Sequence, residues 1–145
     1  MQSLRELLDT DLEYICGNLR EEFAQMAGKK LLITGGAGFL GYYLVQSVVF
    51  WNRSQVEADR IHLTVFDNYI RGVPTWLTDL EGDPNLRLVR HNMIDPLPED
   101  TDDYSFIVHA AGIASPIYYR KYPIETMDAN INGLRSLLDY ARAQK

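Results

Sequence analysis

Over the first 28 residues, Leu4, Leu7, Leu8, Leu12, Ile15, Leu19, Phe23 and Met26 recur three or four positions apart, with charged residues between them. That spacing predicts an amphipathic helical segment. Gly17-Asn18 interrupts it, and Asp9, Thr10 and Asp11 offer caps for a restart. At Lys30 the period changes. Residues 30–34 form a short apolar run that ends in glycines, which predicts a buried strand meeting a tight turn. Residues 39–51 place Leu40, Leu44, Val48 and Trp51 on one helical face. Further strands are expected at 61–66, 86–90 and 104–110, and a short helix at 74–80. A long helix over 124–144 would carry Met127, Ile131, Leu134, Leu137 and Leu138 on its apolar side. Strands alternating with helices predict an α/β fold, a doubly wound parallel sheet in the order 3-2-1-4. A helical N-terminal extension over residues 1–28 would precede the domain at 29–145, docked on that domain or on a partner subunit.

Composition narrows the class. The chain has 145 residues, 46% hydrophobic and 23% charged, with only ten Gly and six Pro, so disordered and collagen-like classes are excluded. No apolar run approaches the roughly 18 residues of a membrane span. The net charge of -6 disfavours nucleic acid and anionic lipid as partners. Acids near the N-terminus argue against a signal or transit peptide. The single cysteine, Cys16, reads as a packed thiol. These features point to a cytoplasmic protein. The acidic run at 98–103 reads as a solvated loop, and no metal site is expected, since His62 and His91 lack companions.

The informative chemistry lies at 34–41, Thr-Gly-Gly-Ala-Gly-Phe-Leu-Gly. Gly35, Gly38 and Gly41 fall between a strand and a helix. The first permits a tight turn, the second lets a phosphate-bearing ligand reach the backbone, and the third lets helix and strand pack closely. The helix N-terminus offers free N–H groups and partial positive charge to a pyrophosphate. Asp67 ends the second predicted strand, 26 residues after Gly41. There a carboxylate can accept both ribose hydroxyls of an adenosine while repelling a 2′-phosphate, which favours NAD over NADP. No Gly-Lys-Ser/Thr follows the turn, so a P-loop is excluded.

These residues resemble the extended short-chain dehydrogenases, which include nucleotide-sugar epimerases, dehydratases and decarboxylases. The run at 109–116, His-Ala-Ala-Gly-Ile-Ala-Ser-Pro, followed by Tyr119, Pro123 and Asn130-Ile131-Asn132-Gly133, is similar to UDP-glucuronate decarboxylases and dTDP-glucose dehydratases. The resemblance covers residues 29–145 and implies a Rossmann-type domain that binds NAD. It places Gly35, Gly38, Phe39, Leu40 and Gly41 at the pyrophosphate, and Asp67 and Asn68 at the ribose with Gly72 nearby. It puts Asn92 and Met93 beside the adenine, though the family has Asp at the first of these positions. Ala110, Ala111 and Gly112 would line the nicotinamide half. Ser115 and Tyr119 would approach a nucleotide-diphosphate sugar, and Asn130 would brace the active-site side of the sheet. His109 reads as a hydrogen-bonded structural histidine, and Tyr118, Tyr119 and Tyr122 read equally as loop packing or a sugar platform.

The resemblance also implies a catalytic Tyr-x-x-x-Lys pair, and none of the nine tyrosines here has lysine four residues on. The expected picture is therefore a partial NAD-binding domain, truncated after about four strands, with no catalytic residue of its own and no turnover alone. A stand-alone NAD-sensing or regulatory module is the alternative. A methyltransferase-like fold is a third reading, opposed by the spacing of 34–41 and the run at 109–112. The strand at 104–110 would then lie at a sheet edge and favour self-association, with a homodimer the simplest form.

Overall fold

Lys30–Thr34 (β1) is the strand that the remainder of the sheet is built around, because four of its five residues are buried and apolar side chains dominate it. The computed structural model describes residues 3–144. His62–Asp67 (β2) lies on one side of β1 and Phe106–His109 (β4) on the other, while Leu86–Arg90 (β3) extends the sheet beyond β2. The order is β3-β2-β1-β4 and every pairing is parallel, as expected for a doubly wound sheet. Register sets Ile33 beside Val65 and Val108, and Asp67 beside Arg90.

Alternation along the strands gives the sheet two apolar faces. Leu31, Ile33, Leu63 and Val65 pack with Val45, Val48 and Val49 of α3 (Phe39–Arg53). Leu32 and Phe66 point the other way and pack with Met93, Tyr104 and Leu137, the last from α7 (Leu134–Ala143). The buried face of α3 therefore runs through Gly41, Val45, Val48, Val49 and Asn52, and the expected stripe is rotated: Leu40 is exposed and Leu44 only partly covered. Asn52 is buried because its amide closes both polar groups of Ile61.

The N-terminal segment folds as α1 (Leu4–Asn18) and α2 (Arg20–Met26). Ser3 caps α1 through a reciprocal pair with Glu6, so Asp9, Thr10 and Asp11 start nothing; the break falls at Leu19, which no side chain caps. Leu12, Cys16 and Phe23 are buried, with Phe23 stacked on Trp51 at 5.1 Å, whereas Leu4, Leu7 and Leu19 stay exposed. The extension docks on the domain's own α3, and Tyr43 on that helix donates its hydroxyl to Asp11.

Other expectations need correction. The short helix is α4 (Thr75–Thr78), and β4 is shorter than 104–110 because Tyr104 turns into the core and bonds through its N–H to the Tyr140 hydroxyl. Tyr118 and Tyr119 lie on a helix, α5 (Pro116–Lys121), and not in a loop, while Tyr122 separates it from α6 (Pro123–Asp128). The long helix at 124–144 is α6, a π turn over Ala129–Gly133, and α7. Of its expected apolar side only Leu137 is buried, and Met127, Ile131, Leu134 and Leu138 are exposed. The acidic run is not simply solvated. Asp102 and Asp103 grip Lys30, and Asp100 and Asp102 grip Arg87.

Candidate nucleotide site

The carboxyl ends of the four parallel strands meet where β1 turns into α3. Gly35 has φ +72, and a Cβ there would stand 2.6 Å from the Ala111 backbone. Only glycine fits both the conformation and the contact. Gly35 donates to the Phe66 carbonyl at 2.7 Å, which ties the turn to β2. Gly38 caps α3 with extended backbone and no side-chain acceptor, so the amides of the first turn, Phe39, Leu40 and Gly41, meet no capping oxygen. Phe39 and Leu40 are exposed at this helix head, and Gly41 is buried against the turn. A helix of 15 residues directs its positive end here.

Asp67 closes the site from the end of β2. Its Oδ2 accepts the Ala37 N–H at 3.0 Å and its Oδ1 accepts the Tyr69 N–H at 2.8 Å. Each oxygen keeps a further lone pair for a ribose hydroxyl. Asn68 accepts from the Ile70 N–H, and Gly72, at φ +85, faces open space. Tyr69 itself holds φ +52, which is strained for a bulky residue. Its ring lies beneath the Arg90 guanidinium at 5.3 Å, and burial, helped by the nearby Asp67 charge, pushes its phenol pKa up.

The expected residues do not all converge. Asn92 is half-buried just past β3, but Met93 is in the core with Leu32 and Phe66. Ala110 and Ala111 follow β4 and lie against the glycine turn, with Ala110 donating to the Thr34 carbonyl, and Gly112 comes next in the chain. Asn130, in the π turn, stands beside Gly112: a Cβ on that glycine would be 3.2 Å from Asn130 Oδ1. Ser115 precedes α5 and accepts from Tyr118 and Tyr119 through its carbonyl, while Tyr119 is exposed. Gly36 escaped the reading at 34–41, although a Cβ there would meet Val65 Cγ1 at 2.5 Å. The unusual pair of adjacent glycines was its signal.

A strand, a glycine turn, an uncapped helix and an acid at the next strand's end are the arrangement from which dinucleotide-binding folds build a phosphate and ribose cradle. The profile of the NAD dependent epimerase/dehydratase family matches residues 31–145. The chain belongs to this family. It is 33% identical over 124 residues to UDP-glucuronic acid decarboxylase 5 of Arabidopsis thaliana, covering 86% of this chain and 33% of that relative. To UDP-glucuronic acid decarboxylase 1 of Danio rerio it is 33% identical over 114 residues, 79% of this chain and 25% of the relative. The fold is similar to that of an epimerase from Methanothermobacter thermautotrophicus, with a TM-score of 0.65, 21% identity, and coverage of 88% and 36%. It is also similar to dTDP-glucose 4,6-dehydratase from Bacillus anthracis, solved in complex with NAD: TM-score 0.60, 20% identity, and coverage of 79% and 34%. This member of the epimerase/dehydratase family thus spans a third or less of the curated relatives named. Among its described residues, no helix is long and apolar enough to cross a membrane.

Proposed function

We propose that this chain is the NAD-binding part of an enzyme acting on a nucleotide-diphosphate sugar, and that it performs no turnover alone. The observation that carries the reading is the clasp of Asp67 on Ala37, which sets a ribose-binding carboxylate against the uncapped head of α3. The residues fit the cofactor. A side chain at Gly38 would approach the Gly35 carbonyl to 3.1 Å and project at the helix head, where a pyrophosphate needs bare backbone. Gly35, Gly38, Phe39, Leu40 and Gly41 would hold the pyrophosphate, Asp67 and Asn68 the ribose with Gly72 near it, and Asn92 the adenine edge. Met93 would support that edge from the core. Ala110, Ala111 and Gly112 would flank the nicotinamide, with Ser115, Tyr119 and Asn130 on the sugar side. NAD, when bound, supplies hydride acceptance and return. The chain's own residues bind and orient it, and the absence of any Tyr-x-x-x-Lys leaves proton transfer to groups outside this sequence.

Similarity to UDP-glucuronic acid decarboxylases supports a UDP-sugar acid as the substrate class of the whole protein. The exposed apolar residues of α5 to α7 support association of two copies.

Calorimetric titration with NAD tests the reading. Gly38→Val should abolish binding. Asp67→Ala should weaken NAD and relax the rejection of NADP, and it also frees the Ala37 amide, so the turn loosens as well. Equal NAD affinity in the wild type and Gly38→Val would refute the assignment.

A further inference from the structure

Behind the nucleotide turn, several polar groups converge on one ring. His109 ends β4 directly beside Thr34, the last residue of β1, and its Nδ1 lies 2.7 Å from the Thr34 hydroxyl oxygen. That oxygen accepts the Ala111 N–H at 3.3 Å, so the hydroxyl proton is free to go to Nδ1. A neutral ring then carries its own proton on Nε2. Nε2 is shielded from water and completes no hydrogen bond, and the Ala129 carbonyl lies beside the ring. Burial keeps the imidazole neutral by lowering its pKa, against the pull of that carbonyl, and no charged side chain among the described residues contributes.

Ala129 opens the π turn at Ala129–Gly133. Such widened turns are rare inside helices and concentrate at functional positions. The next residue, Asn130, donates Nδ2 to the Thr126 carbonyl at 2.7 Å, which leaves Oδ1 for the Gly112 side. Gly35, for its part, packs directly on Ala110 and Ala111. His109 therefore stands between the strand that launches the glycine turn and the π turn that carries Asn130.

We propose that His109 is a positioning residue for the cofactor site: by accepting the Thr34 hydroxyl at Nδ1, while the same hydroxyl oxygen holds the Ala111 N–H, it locks the glycine turn and the exit of β4 together as one rigid unit. The inference rests on the reading that the turn holds NAD, but the linkage is a property of the chain itself.

Long-range proton–nitrogen spectra of the whole chain at neutral pH report the tautomer of each of its three histidines. For His109 the expected state is Nε2–H with bare Nδ1. Thr34→Val should shift the Nδ1 resonance and Thr34→Ser should restore it. In NAD titrations, Thr34→Val and His109→Leu should bind roughly three- to tenfold more weakly, the range set by one net hydrogen bond. Thr34→Ser should stay within about twofold of the wild type, as should His109→Asn, whose side-chain oxygen can accept the same proton. An Nδ1–H tautomer, or unchanged NAD affinity in Thr34→Val, overturns the proposal. If His109→Leu does not fold, Thr34→Val, which keeps the side chain's shape, decides. If the wild type binds no NAD, the cofactor reading fails, and the tautomer with its response to Thr34→Val still decides the linkage.

Discussion

Adding one methyl group at Gly35 forces a left-handed residue to carry a side chain and drives that carbon to 2.6 Å from the Ala111 backbone. Gly35→Ala is expected to cost about 3 kcal/mol or more, since strain and overpacking act together. Gly17, inside α1 with nothing within 4 Å of its would-be Cβ, behaves oppositely. Gly17→Ala should gain about 0.5–1 kcal/mol of helix stability. Urea unfolding of both variants checks the pair, and a Gly35→Ala protein as stable as the wild type would contradict the packing of the turn on the β4 exit. At this scale the sequence was legible where chemistry is local. Gly35, Gly38, Gly41 and Asp67 announce themselves through spacing. The left-handed Tyr69 and the Thr34–His109 pair do not, because one depends on a backbone angle and the other joins residues 75 positions apart.

Among the elements, β1 and β3 were legible to the residue, because short apolar runs bounded by turn residues have few alternatives. The region after β4 was not. Pro116 and Pro123 each start a new helix, and a π turn has the same apolar spacing as the helix it interrupts. The strap at Asp100, Asp102 and Asp103 was misread because its partners, Lys30 and Arg87, are set by topology alone. Lys30 holds Asp102 and Asp103 below the ordinary carboxylate value of 3.8, and Arg87 assists at Asp102. Groups whose folded pKa is depressed contribute stability above the unfolded value and lose it as pH falls through the folded one. The strap's contribution is therefore complete above about pH 4 and disappears below it. Thermal midpoints from neutral to acid pH should fall more steeply in the wild type than in Lys30→Met. Parallel curves would show that the strap carries no linkage.

For the whole molecule, the two sheet faces are unequally covered. One is sealed by α3 with α1 and α2 behind it, whereas the other rests on Leu137, Met93 and Tyr104 while Ile124, Met127, Ile131 and Leu138 face outward. An exposed stripe of that kind favours a closed pair of copies. Sedimentation across micromolar concentrations should show a dimer, and Leu138→Lys should shift it towards monomer. A wild type that stays monomeric throughout would exclude this surface as the interface.

The docking of the N-terminal helices also gives the protein a built-in reporter. Cys16 is its single thiol, buried between α1 and α3, with S–H donated to the Ser47 carbonyl at 3.5 Å and a pKa raised by burial. Alkylation needs an exposed thiolate, so reagent is consumed only when α1 lifts away. The labelling rate, divided by that of an unfolded peptide, then measures how often this happens. Phe23→Ala removes the ring stacked on Trp51 at an expected cost of about 3 kcal/mol, and labelling should accelerate by about a hundredfold. Unchanged labelling would mean that the latch is held by α1 itself and not by Phe23 of α2. Either rate converts the seating of a helix into an equilibrium constant read from one sulfur atom.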